Sequence, residues 1–244
     1  MVRSACCYRH LHQHLQPDHH YILHQSAEIG GLMKLTEELL NELKKLPTGN
    51  VADNNPDGGV MDADITPLDT TLHLIGRAVT VQCHPGDNLA LHQGIYAAEP
   101  GDVLVFDCGG YRHGGHFGDI MANACAVRGI AGVIIDGTCR DREDIKAMKF
   151  PVYSRGTCPA GTVKKSLARI NVPVNVGGVT VNPGDIIFAD GDGVVVVPQD
   201  QAEQVFAAAL KKYDKEQKIL QELKEGKTTL EIYGFDQLID SMTK

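Results

Sequence analysis

Hydrophobic and polar positions divide the 244-residue chain into an irregular opening and a long, orderly remainder. From Met33 onward, Leu35, Leu39, Leu40, Leu43 and Leu46 recur at helical spacing with Glu and Lys between them. That pattern predicts an amphipathic helix ended by Pro47. Residues 48–53 predict a second short helix or a turn, and the Asn-, Asp-, Gly- and Pro-rich residues 54–69 predict a loop. Gly76 to Cys83 alternates as a half-buried strand should. Pro-Gly-Asp turns stand at 85–87, 100–102 and 183–185, where Pro presets φ and Gly tolerates its positive range. A helix is expected between the first two turns, over 88–98, and a strand after the second. The apolar run Ile130–Ile135 reads as a buried strand, preceded by a helix over 119–128 and followed by a short helix beyond Asp144. Further strands are expected over 150–154, 172–176, 179–181, 185–190 and 193–197, and a charged helix over 199–225. Strands outnumber helices, and β and α alternate only in part. The pattern therefore predicts one α/β domain over 33–244, layered on a mixed sheet rather than on a fully parallel one.

Composition changes the picture mainly at the start. Six of the eleven histidines fall within residues 1–24 without helical or strand periodicity, so residues 1–32 are read as a disordered or non-native extension ahead of a start at Met33. A net charge of −8 argues against nucleic acid as the main partner, because phosphate binding needs clustered Lys and Arg. No apolar run approaches the length of a membrane span. The seven cysteines are odd in number and show no CxxC spacing, which points to reduced thiols in a cytoplasmic compartment.

The chemistry concentrates between Cys108 and Asp144. Gly109, Gly110, Gly114, Gly115 and Gly118 precede Asp119, where helix-forming residues begin. A helix that opens after a glycine-rich loop leaves backbone N–H groups unpaired at its positive end, which suits an anion. The strand after that helix ends at Asp136-Gly137, and the turn beyond delivers Arg140, Asp141, Glu143 and Asp144. Asp119 could be a first-turn acid and nothing more, and Asp141 or Asp144 a plain helix cap. Arg140 could be a surface residue or an ion-pair partner. Together they suit a small anionic substrate on a hard divalent cation: carboxylate oxygen fits Mg²⁺ or Mn²⁺, and Arg's planar fork fits a carboxylate or an enolate. A zinc site at His113 and His116 with Cys108 and Cys125 is the weaker reading, because the loop is glycine-rich and lacks a CxxC partner. Cys139 beside Arg140 could be a nucleophile, but a small buried cysteine is the commoner case.

Several stretches carry a family likeness in order: PGDN at 85–88, PGDVLVFD at 100–107, FGD at 117–119, RGIAGVIIDGTCRD at 128–141, GTVK at 161–164, and the segment 173–198. They resemble the RraA-like family, in particular its class II 4-hydroxy-4-methyl-2-oxoglutarate / 4-carboxy-4-hydroxy-2-oxoadipate aldolases, which carry an acid, twenty residues, then Arg-Asp. Here that is Asp119, residues 120–139, then Arg140-Asp141. The resemblance implies a swivelling β/β/α domain that assembles as a homotrimer or homohexamer. It implies that the amides of Gly118, Asp119, Ile120 and Met121 hold the pyruvate-end carboxylate and that Arg140 binds the keto-acid end and stabilises the enolate. Asp141 would be the direct ligand of a divalent metal cation, Mg²⁺ or Mn²⁺, with Asp119 holding metal-linked water that serves as base. Glu216 is the candidate for a glutamate that a neighbouring subunit's C-terminal helix contributes. Pyruvate release from a 4-hydroxy-2-keto acid, with oxaloacetate decarboxylation as a side activity, is the implied chemistry. The alternative from a different class is a non-catalytic regulator that binds ribonuclease E. The Asp119/Arg140/Asp141 set favours the enzyme. Tyr111, Arg112, His113 and His116 are the loop residues expected to meet the distal end of the substrate.

Overall fold

The leucine repeat after Met33 forms helix α1 (Glu37–Leu43), and Pro47 starts a second helix, α2 (Thr48–Ala52). Thr36 caps α1 by accepting the Leu39 N–H at 3.2 Å, and Leu39, Leu43 and Leu46 are fully buried. The computed structural model describes residues 33–243, so the extension expected over 1–32 lies outside the described residues.

Strand β1 (Thr66–Pro67) is followed by β2 (Leu74–Gln82), helix α3 (Leu89–Ala97), β3 (Val103–Phe117), helix α4 (Asp119–Val127) and β4 (Gly132–Cys139). Helix α5 (Arg142–Ala147) leads to β5 (Val152–Ser154), β6 (Arg169–Ile170), β7 (Val174–Val176), β8 (Val179–Val181), β9 (Ile186–Asp190) and β10 (Gly193–Val197). The main sheet runs β1-β5-β4-β3-β2-β9-β10, with β6 also on β2. Strands β2, β3, β4 and β5 are mutually parallel, while β1, β6, β9 and β10 join antiparallel. The sheet is mixed, as expected. Strands β7 and β8 form a separate hairpin turned by Gly177 and Gly178, whose φ of 58° and 77° meet the positive-φ demand of a two-residue turn.

Alternation assigns the layers. Leu104, Phe106, Val133 and Ile135 pack under α3, α4 and α5 with Leu91, Ile95, Met121 and Ile145. Their neighbours Val103, Val105 and Ile134 face the opposite way, onto Val174, Val176 and Val181 of the hairpin. The two faces thus carry helices and a second β layer, the β/β/α arrangement. On β9 and β10, Ile186, Phe188, Val195 and Val197 turn toward α1 and toward the long helix α6 (Ala202–Lys224), whose first half supplies Val205, Phe206, Ala209 and Leu210. Beyond that, helices α7 (Thr229–Tyr233) and α8 (Phe235–Met242) have no buried residue.

One expectation changes. The glycine-rich segment 108–117 is not a loop but the second half of β3, which stays paired with β4 through three register shifts. Gly109 and Gly110 lie there with φ of 64° and 68°, and the strand kinks instead of ending. Strand β4 likewise runs on to Cys139, buried along its whole length. Phe106→Ala would empty the contact between β3 and α3. It is expected to cost about 3–5 kcal/mol, read as a lowered urea midpoint with an unchanged slope.

Candidate active site

The two strands that carry the chemistry end in register. Phe117 of β3 pairs with Cys139 of β4, so Gly118-Asp119 and Arg140-Asp141 leave the sheet side by side at its carboxyl edge. The twenty-residue spacer between them is one helix, one turn and one strand of a parallel crossover, which returns the chain to the edge it left. The Arg140 N–H donates to the Phe117 carbonyl at 2.8 Å. The Asp119 N–H donates to Asp141 Oδ2 at 3.3 Å, and Arg140 Nε lies 3.4 Å from the same oxygen. The acid and the Arg-Asp pair therefore meet, as their spacing suggested.

Glycine is needed here for close approach. A Cβ at Gly115 would fall 2.9 Å from Arg140 Cβ and 3.2 Å from its Cδ. A Cβ at Gly118 would meet Arg140 Nε at 3.2 Å and would collide with the Asp141 carboxylate. The Arg140 stem lies across the bare backbone of β3, and the guanidinium is held over the start of α4.

Asp141 has φ 57° and ψ 40°, a left-handed conformation that a non-glycine residue adopts at a cost of about 1–3 kcal/mol. It occupies the N-cap position of α5, yet its side chain makes no capping bond there. The carboxylate turns back to Asp119 and Arg140 instead, so the plain-cap reading fails. At α4 the Met121 N–H donates to the Gly118 carbonyl at 3.1 Å. With the Asp119 N–H given to Asp141, the Gly118 and Ile120 N–H groups are the two left without a partner among the described residues. The anion-binding end of the helix is thus narrower than the four amides expected.

These groups open into a cavity of about 250 Å³ lined by Gly118, Asp119, Ile120, Met121 and Arg140. The lining also includes residues that sequence reasoning missed: Asn88 at the N-cap of α3 and His92 within it, and Thr162 and Lys164 on the segment after β5. Asn88 and His92 sit four apart, hence on one helix face; that spacing was the available signal. Asn88 donates through Nδ2 to the His116 carbonyl at 3.1 Å, which fixes its amide orientation. Its Oδ1 is buried with no partner, a free acceptor on a pocket-lining side chain. Among the residues expected at the distal end, only His116 lines the cavity, and Arg112 turns away to pair with Asp64.

Two other expectations are placed by the coordinates. In its own chain Glu216 accepts from Asn50 Nδ2 at 2.8 Å and lies 3.8 Å from Lys212 Nζ, outside the cavity lining. Cys139 is fully buried, and burial raises its thiol above the ordinary range, so it makes a poor nucleophile. Burial also pushes the Cys125 thiol up, to about 12. Among the described residues no group of three or more His, Cys, Asp or Glu side chains is gathered as for a metal ion. Asp141 and Asp119 are the carboxylates nearest this helix start, and Mg²⁺ is commonly held by one or two carboxylates while it keeps waters.

Residues 48–196 match the family model described as RraA-like, aldolase/RraA. Over 175 residues the chain is 38% identical to a Halalkalibacterium halodurans protein with the provisional name 4-hydroxy-4-methyl-2-oxoglutarate aldolase, across 72% of this chain and 83% of that one. A solved structure of an uncharacterized protein from Pseudomonas syringae aligns with a TM-score of 0.69 at 29% identity, covering 79% of this chain and 95% of its own. The structure of the RNA-processing inhibitor RraA from Thermus thermophilis aligns with a TM-score of 0.58 at 26% identity, covering 63% and 93%.

The imidazole of His116 illustrates how the cavity wall is held. His116 is fully buried, its Nε2 accepts the Gly86 N–H at 3.1 Å, and its Nδ1 lies 3.3 Å from the Thr138 carbonyl. Both nitrogens are engaged by the neutral tautomer with hydrogen on Nδ1, which leaves no lone pair for a metal. Burial holds its pKa below the ordinary value, against the opposing pull of the Thr138 carbonyl and the Asp87 carboxylate. The unfolded chain therefore binds this proton more readily than the folded one. Its contribution to stability is complete above an unfolded pKa of about 6.5 and is lost progressively as pH falls below that. Urea unfolding between about pH 7 and 5 is expected to show this loss. His116→Gln, which retains an acceptor for Gly86, is expected to flatten the slope.

Proposed function

Because the chain belongs to the RraA-like, aldolase/RraA family, we propose that it is a divalent-cation-dependent carbon–carbon lyase. Its substrates are 4-hydroxy-2-keto acids of the 4-hydroxy-4-methyl-2-oxoglutarate type, and its product is pyruvate. The observation that carries this reading is the meeting of Asp119, Arg140 and Asp141 at a partly unpaired helix N-terminus, with Asp119 and Arg140 lining the adjoining cavity. Such a cluster of one cation, two carboxylates and free amides beside a cavity is the kind of arrangement that functional sites use.

The parts can be assigned. Asp141 would hold Mg²⁺ or Mn²⁺, and Asp119 would hold its water. When bound, the cation supplies Lewis-acid polarisation of the 2-keto oxygen. The free Gly118 and Ile120 N–H groups and the positive end of α4 receive the carboxylate next to the keto carbon. Arg140 places a fixed positive charge where the enolate oxygen develops. Asp119 is the group placed to take the proton from the distal hydroxyl, directly or through water, and the orphan Asn88 Oδ1 is free to orient that hydroxyl. The C3–C4 bond then breaks as the deprotonated C4 oxygen closes to a carbonyl and leaves as a second 2-keto acid; the bond's electron pair enters the enolate, and C3 is reprotonated to give pyruvate. Oxaloacetate would lose CO₂ through the same enolate. Lys164, also in the lining, is a second cation suited to a second carboxylate on the substrate.

Two further parts belong to this reading. Tyr233, Phe235, Leu238, Ile239 and Met242 on α7 and α8 are 43–76% exposed, and such apolar residues support assembly as a homotrimer or homohexamer. Glu216 would serve a neighbouring subunit's cavity. The likeness to the RNA-processing inhibitor favours a second reading, a non-catalytic regulator of ribonuclease E.

Pyruvate release decides between them. With Mg²⁺ or Mn²⁺, 4-hydroxy-4-methyl-2-oxoglutarate and oxaloacetate are expected to yield pyruvate, and EDTA or Asp141→Ala is expected to abolish it. Arg140→Ala should lower kcat by roughly 10²–10³. Gly118→Ala should fold normally, because the Asp141 carboxylate can swing aside, yet lose most activity. No pyruvate from the folded, metal-supplied wild type with either substrate would sink the lyase reading and leave the regulator.

A further inference from the structure

Part of the cavity lining comes from outside the main sheet. Residues 157–168 connect β5 to β6 and carry Thr162 and Lys164 into the cavity lining. A stretch of this length without its own secondary structure needs an anchor to hold two side chains at a site. Its backbone is pinned at a few points. The Gly115 N–H donates to the Ala160 carbonyl at 2.9 Å, Val163 exchanges bonds of 3.0 Å with Gly86 and Asn88, and the Ala168 N–H reaches Gln93 Oε1 at 2.8 Å.

Two further bonds converge on one side chain. Asp87, 1% exposed, accepts the Lys165 N–H at 2.7 Å and the Ser166 N–H at 2.8 Å on Oδ2, while Oδ1 accepts the Leu89 N–H at 2.9 Å. One buried carboxylate thus ties the segment directly after Lys164 to the first turn of α3, whose N-cap Asn88 and residue His92 also line the cavity. Burial opposes its charge, but the three backbone donors outweigh burial and keep its pKa below the ordinary carboxylate value. Both oxygens act only as acceptors. An amide in its place would set an NH₂ group against a backbone N–H, so Asn is no substitute.

We propose that Asp87 is a positioning residue of this cavity: its carboxylate latches residues 157–168 and so holds Thr162 and Lys164 against the substrate. It touches no reacting atom and acts through Lys164. The inference rests on the lyase reading for its kinetic consequence and on geometry alone for the latch itself.

The test compares wild type, Asp87→Asn, Lys164→Ala and the double variant, with tryptic cleavage after Lys164 and Lys165 as the readout that needs no activity. Asp87→Asn is expected to speed that cleavage tenfold or more. It should also raise KM for 4-hydroxy-4-methyl-2-oxoglutarate on the order of tenfold with little change in kcat, as loss of one charged binding contact does. Lys164→Ala should raise KM alike, and the double variant should add nothing, because both remove the same contact. Where Asp87→Asn fails to fold, Ser166→Pro removes one latch donor; trypsin does not cut before proline, so it is expected to speed cleavage after Lys164 alone and to reproduce the KM. Unchanged cleavage in a folded variant overturns the latch, and faster cleavage with additive KM effects overturns the positioning role. A wild type that yields no pyruvate defeats the lyase reading and with it the positioning role, while cleavage still reads the latch.

Discussion

The structure around the site depends on how closely Arg140 lies over the backbone of β3. Phe117 and Cys139 end their strands in register, and the arginine stem leaves β4 across Gly115 and Gly118, where any side chain would displace it. That contact puts a guanidinium beside the positive end of α4, an unfavourable arrangement on its own. Asp141 relieves it. Its carboxylate faces both Arg140 Nε and the Asp119 N–H, and the left-handed backbone at Asp141 is what turns it there. Glycine, arginine and aspartate form one constraint, since none of the three positions can change alone without releasing the other two.

The rest of the fold serves to keep that edge rigid and one-sided. Helices cover one face of the central strands and the β7–β8 hairpin covers the other, so both faces of β4 are dry and its residues read as a continuous apolar run. Binding groups then collect where parallel strands end and their crossovers begin, the usual place for a ligand in an open α/β sheet. The polar residues nearest the site are held in definite states by the same burial. His116 is neutral with both nitrogens engaged, the nearby thiols are pushed away from ionisation, and Asp87 is kept charged by backbone donors. Each of these is a wall, and the wall leaves Asp119, the Asn88 oxygen, the cationic Arg140 and Lys164, and the His92 imidazole facing the cavity. Burial and the charge of Lys164 keep the His92 pKa below its ordinary value.

The sequence by itself determined the order and type of most elements, because they rest on local periodicity. The leucine repeat of α1, the apolar run of β4, the three Pro-Gly-Asp turns and the charged α6 are all visible without neighbours. It also determined that Asp119 and Arg140-Asp141 belong together, since one helix and one strand of a crossover have a nearly fixed length. Only the tertiary structure decided what the glycines do. Residues 108–117 look like a loop because glycine has no strand preference, and their strand exists only through pairing with β4, a contact absent from any local window. The same holds for the rest of the cavity lining. Asn88, His92, Thr162 and Lys164 come from segments some seventy residues apart, joined by a buried aspartate whose partners are backbone amides, which carry no sequence signal at all.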